Sequence, residues 1–130
     1  MPLLNFQSRF APLVESGEKR QTIRAHRKDG RDPKVGDRLF LYTGARTKEC
    51  RKLGESGCVR AERIEIGSKG SIVLGFAGRF PVTLNERSRE RFARADGFES
   101  WTELVGWFEA THGLPFRGLL IEWDEIEREG

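Results

Sequence analysis

Gly17-Glu18-Lys19-Arg20-Gln21-Thr22-Ile23-Arg24 carries the pattern G-x-K-x-x-T-x-R at the point where a short helix gives way to a strand. Pro12 suits a first helical turn and Gly17 the position just past a helix end, so the two bracket a helix through Leu13, Val14 and Glu15. A strand then begins within the motif. The same stretch also concentrates chemistry. A glycine, an amine, a hydroxyl and a guanidinium in this order can hold an anion, orient a carbonyl or, with a depressed lysine pKa, activate the threonine. A solvated run of charge is the alternative reading.

Working outward, Leu3-Leu4-Asn5-Phe6 reads as a short strand, and His26 to Val35 as a charged loop broken by Gly30 and Pro33. Gly36-Asp37 turns the chain into the apolar strand Arg38 to Thr43. Gly44 to Gly57 reads as a long polar loop and Cys58 to Ile66 as a strand with Ile64 and Ile66 on one side. Ser71 to Phe76 and Phe80 to Leu84 resemble a hairpin around Ala77-Gly78-Arg79, with Pro81 putting the second arm at an edge or a start. Asn85 caps a helix ending near Asp96-Gly97, and Ser100-Trp101-Thr102-Glu103 has the capping-box pattern. Trp101, Leu104, Val105 and Phe108 then form a buried helical stripe, which Trp107 leaves; Gly113 and Pro115 stop that helix. Leu119, Ile121 and Trp123 lie on a final strand.

This succession predicts an α+β fold: a small mixed barrel of five or six strands, one short N-terminal helix, and two later helices at its rim. With 130 residues the chain is a single domain, 1–130, with room for one core. The net charge of +3 hides a polarity. Residues 19–34 hold seven Lys or Arg against two Asp, residues 46–63 hold six against three Glu, and the tail from Glu122 to Glu129 is acidic. A basic first half suits a polyanion. Cys50 and Cys58 are two cysteines without a C-x-x-C, and neither a secretory leader nor a membrane-spanning run is read, so free thiols and a cytoplasmic protein without membrane association are expected. His26 and His112 stand far apart and outside any ligand-spaced cluster, so no metal or other cofactor is expected.

Four segments together resemble the ASCH domain family: Gly17 to Arg24, the Gly36-Asp37 turn, Ala95-Asp96-Gly97-Phe98 before a capped helix, and the closing Gly118-Leu119-Leu120-Ile121-Glu122-Trp123. Their order covers nearly the whole chain. Tyr42 to Arg51, Y-T-G-A-R-T-K-E-C-R, is similar to a subgroup common in phage and prophage genomes. The resemblance implies a PUA-like β-barrel, related to RNA-binding domains, with a cleft beside the G-x-K segment. Within that family, bacterial N4-acetylcytidine amidohydrolases use a lysine and a threonine of this motif and a glutamate near the late helix. Lys19 and Thr22 fall on the first two positions; Asp96 is nearest the third, and departs from it as a shorter carboxylate.

Amide hydrolysis needs a nucleophile, a base and donors for the oxyanion. Thr22 can supply the hydroxyl, Lys19 the base if burial and the charges of Arg20 and Arg24 favour its neutral form, and Asp96 can orient the lysine or activate water. One geometric condition attaches. Residues three apart in a regular strand face opposite ways, so residues 17–20 must be irregular and the strand must start nearer Gln21. A second reading is non-catalytic RNA binding: Arg20, Arg24, Arg46 and Lys48 on phosphates, Gln21 on a base edge and Tyr42 stacked on a base. The third is a metal-independent ribonuclease using Lys19, Tyr42 and His26. The expected partner in each case is RNA or a modified nucleoside.

Overall fold

Gly17 ends the first helix, α1 (Ala11–Ser16), in the left-handed region at φ 86°, with its N–H donating to the Val14 carbonyl. Pro12 occupies the first turn, where its missing N–H costs no intrahelical bond. In the computed structural model, which describes residues 2–75 and 81–127, residues 18–20 then run irregularly and strand β2 starts only at Gln21, ending at Arg24. The geometric condition on Lys19 and Thr22 is thereby met.

The other strands are β1 (Leu3–Phe6), β3 (Arg38–Thr43), β4 (Arg51–Ile66), β5 (Ile72–Leu74), β6 (Val82–Thr83) and β7 (Phe116–Trp123), with helices α2 (Glu86–Ala95) and α3 (Trp101–Thr111). The class is α+β, with seven strands in one sheet among the described residues, where five or six were expected. β1 runs parallel to β3; β3 pairs antiparallel with β4; β4 pairs with β5 and β7; β5 carries β6, and β7 carries β2. The sheet is not closed into a barrel, which corrects that part of the expectation. Among the described residues no ladder joins β1 to β2. Side chains span this seam instead: Arg24 Nη2 donates to the Asn5 carbonyl at 2.7 Å and Arg27 Nη2 to the Leu3 carbonyl at 3.0 Å.

The largest departure is β4. Residues 51–57 continue the strand N-terminally and pair with β3, where a polar loop was expected. Their charged residues and two glycines carry little strand propensity, so pairing and the burial of Leu53, Ser56 and Cys58 impose the conformation. Gly54 has a packing reason, because a Cβ there would lie 2.2 Å from Ile126 Cγ2. β7 lies between β2 and β4 and is buried on both faces at Leu119, Leu120 and Ile121, as a strand flanked on both edges and covered on both sides is. The hairpin is present as β5 paired with β6, while its turn at residues 76–80 falls outside the described residues.

Asn85 Oδ1 accepts from Ser88 N at 2.9 Å and Ser100 Oγ from Glu103 N at 3.1 Å, so both late helices are capped as expected. The box at α3 is only half made, because the Glu103 carboxylate pairs with Arg9 at 2.6 Å. In the α3 stripe Leu104 and Phe108 are buried, whereas Trp101 and Val105 are half-buried. Trp101 Nε1 donates to the Gly70 carbonyl at 2.8 Å, and the Arg89 guanidinium sits 3.6 Å above its ring. No helix among the described residues is long and apolar enough to cross a membrane.

Candidate active site

β2 and the residues before it bring Lys19 and Thr22 to one cavity of about 260 Å³, which also touches the end of β1, the α2–α3 turn and the last turn of α3. Its rim is the seam where β1 and β2 fail to pair. Thr22 and Arg24, two apart on a strand, both face it. Lys19 is 2% exposed, Asp96 3% and Thr22 6%, so a charged pair and a hydroxyl sit almost wholly out of water.

Lys19 Nζ donates to the backbone carbonyl of Asp96, while the Asp96 carboxylate lies farther off, with Oδ2 at 3.7 Å. That carbonyl belongs to the C-cap of α2, at the negative end of the helix dipole, where a cation replaces a missing intrahelical donor. Gln21 Nε2 holds the other carboxylate oxygen at 3.3 Å. Burial pushes the Lys19 pKa below the usual lysine value against the attraction of Asp96, and the charges of Arg24 and Arg9 push the same way as burial. Burial likewise raises Asp96, opposed by Lys19 and Arg24. Both groups are therefore drawn towards their neutral forms, the condition under which a lysine serves as a base.

Arg24 Nε donates to Thr22 Oγ1 at 3.1 Å, and the guanidinium lies 4.9 Å from the Phe6 ring. The hydroxyl oxygen is thus held as an acceptor beside a fixed charge, leaving its own proton to be given elsewhere. Burial brings the Arg24 pKa down to about 10, which still leaves it charged at neutral pH.

Comparison of the chain with family models, with curated proteins and with solved structures yields no match. Its site must be judged on its own geometry.

On that geometry the residues expected on phosphates and bases separate. Arg24 lines the cavity with its guanidinium donating to Thr22 Oγ1 and the Asn5 carbonyl, which leaves part of its fork of donors for a ligand. Gln21 is buried against Asp96 and supports that carboxylate, where base-edge contact was expected. Tyr42 is half-buried on the face of β3 opposite Leu41 and Thr43, and it is not among the residues that line the cavity. Arg20 is exposed and turns back onto the Gly17 carbonyl at 3.2 Å. Arg46 and Lys48 are exposed in the loop of residues 44–50, whose Ala45 N–H is tied to Asn5 Oδ1 at 2.9 Å on the rim. The neighbouring bases are paired, Arg51 with Glu15 at 2.6 Å and Lys52 with Glu55, so the basic run does not form one open groove. His26 is exposed and bonded to Asp32 at 2.8 Å, outside the cavity that holds Lys19.

Asn5, Phe98, Trp107 and His112 also line the cavity and were not singled out as site residues. Trp107 had a signal, since it leaves the apolar stripe of α3. The loop between α2 and α3 depends on Gly97, at φ 96°, where a Cβ would lie 2.9 Å from Phe10 and 3.1 Å from Lys19 Cδ. Gly97→Ala is expected to cost about 2–3 kcal/mol, from the left-handed conformation and the overpacking together. A denaturant midpoint lowered to match, with the cavity still formed, checks this.

Proposed function

We propose that this chain is an ASCH-type hydrolase that cleaves the amide of an N4-acylated cytidine, with Thr22 as nucleophile and Lys19 as its base. The observation that carries the reading is a nearly water-free lysine, biased towards its neutral form, lining the same cavity as an arginine-held threonine hydroxyl. Thr22 Oγ attacks the acyl carbon as its proton passes to Lys19 Nζ. The acyl C–N bond then breaks, and the lysine returns the proton to the departing nitrogen. Water then attacks the acyl carbon as Lys19 takes its proton; the Thr22 Oγ–C bond breaks, the carboxylic acid leaves, and Lys19 passes the proton to Thr22 Oγ, restoring the hydroxyl and the neutral amine. Arg24 lowers the energy of the developing alkoxide, and the α2 carbonyl keeps the amine aimed. The cavity volume lies just under the roughly 300–1,000 Å³ usual for ligand clefts and suits one planar ring with a short acyl substituent.

Purified protein incubated with N4-acetylcytidine is expected to release acetate and cytidine, with the rate unaffected by chelators. A nucleoside spectrum unchanged after prolonged incubation sinks the proposal. The RNA-binding alternative receives less support, because its intended phosphate ligands are dispersed or already bonded.

A further inference from the structure

His112 is the C-cap of α3 and lines the cavity together with Trp107 and Phe108 of that helix. Its backbone N–H caps the helix on the Phe108 and Glu109 carbonyls, which ties the residue to the last turn. The ring is braced by aromatic neighbours: stacked on Phe108 at 5.7 Å and 26°, tilted on Phe116 at 4.8 Å, and edge-on to Trp107 at 5.8 Å. Yet the residue is exposed, and neither ring nitrogen has a hydrogen-bond or ion-pair partner among the described residues. A histidine needed only for packing would be covered. One needed only for solubility would not be held by three rings. The remaining role for an oriented imidazole with free nitrogens on a cavity wall is contact with what enters the cavity.

Resting on the reading of the site as a nucleoside amidohydrolase, we infer that His112 is a ligand-orienting residue. It hydrogen-bonds the polar edge of a planar heteroaromatic ring, while Trp107 and Phe98 supply apolar walls. Lys19, Thr22 and Arg24 then receive the acyl group at the cavity's inner end. This division separates the chemistry on β2 and the residues just before it from recognition at the C-terminal end of α3. His112 therefore sets affinity and not the rate of bond breaking.

Equilibrium binding of cytidine, followed by tryptophan emission with Trp107→Phe identifying the reporting ring, tests the inference without catalysis. His112→Phe keeps the stack and removes the nitrogens; His112→Gln keeps an amide able to donate and accept. Loss of one neutral hydrogen bond predicts about a three- to tenfold weaker Kd for His112→Phe. His112→Gln is expected to stay within about threefold of wild type on the same scale. In turnover of N4-acetylcytidine, KM should rise by the same factor in His112→Phe with kcat nearly constant. Unchanged binding in His112→Phe overturns the inference, as does a fall in kcat at constant KM, or no cytidine binding by wild type. Wild type that binds cytidine yet releases no acetate from N4-acetylcytidine would defeat the hydrolase reading alone, and the binding comparison would still decide the role of His112.

Discussion

Lys19→Met is expected to lower kcat/KM for N4-acetylcytidine by roughly 100- to 10,000-fold, the range over which a positioned general base contributes. Methionine fills nearly the same space without an amine, so rates taken under conditions where circular dichroism shows the variant folded report chemistry despite its lower stability. Two readouts separate the base from a merely structural lysine. The first is rescue: small primary amines added to Lys19→Ala, whose truncation leaves room beside the Asp96 carbonyl, should restore part of the rate. The second is the pH profile. In the proposed mechanism the neutral amine is the active form, so kcat/KM of the wild type should rise with pH through a midpoint below the usual lysine value of 10.5. Asp96→Asn removes the carboxylate whose attraction holds that midpoint up, so the acid limb should move to lower pH. The backbone carbonyl that aims Nζ is untouched by this change. An acid limb that stays in place in Asp96→Asn would contradict the assignment.

The same burial has a signed effect on stability. Between its lowered folded pKa and 10.5, Lys19 binds more protons unfolded than folded, so its contribution to stability rises with pH across that window. Asp96 has the opposite sign: folded, it binds more protons above 3.8, so its contribution falls as pH rises through its raised folded value. Removing Lys19 alone leaves a buried carboxylate without its cation, a change that typically costs about 3–5 kcal/mol. Lys19→Met combined with Asp96→Asn should recover most of that loss. Denaturant midpoints of the three variants at neutral pH measure it, and a double variant no more stable than Lys19→Met would show the pair is not the source.

What the sequence made legible follows the reach of its local rules. Gly17 after a short helix, the apolar run before Thr43, and Asn85 and Ser100 as caps are governed by neighbours within a few residues, and each element forms there. Lys19, Thr22 and Asp96 were reachable because a motif and a turn marked them, and they meet in the fold. Residues 51–57 were not, because their strand state comes from β3 and from Ile126, far along the chain. The same holds for Glu103, drawn from its cap to Arg9, and for Arg24, whose partners lie on β1 and in its own strand. His112 carried no local signal at all. Its place on the cavity wall comes from Phe108 and Phe116 against its ring and from β1 and β2, far along the chain, which line the same cavity.

Thr22→Val is expected to lower turnover by at least about 1,000-fold, because it removes the proposed nucleophile while keeping a β-branched shape. The hydroxyl faces the cavity from a strand paired residue for residue with β7, Thr22 opposite Ile121, so valine suits the backbone there. Its cost lies elsewhere: Arg24 Nε loses its acceptor in a half-buried setting, a penalty of about 1–3 kcal/mol. Thr22→Ser returns both the oxygen and that acceptor, and should retain measurable activity with near-wild-type stability. The pair of variants therefore separates chemistry from packing. If acyl transfer passes through Thr22, brief reaction followed by acid quench should leave an acyl adduct of one acetyl mass on wild type and none on Thr22→Val. Full activity in Thr22→Val would mean that water attacks directly and that the hydroxyl only anchors Arg24. Lys19 would then have to activate that water, and its pH profile would persist in the valine variant with the same midpoint.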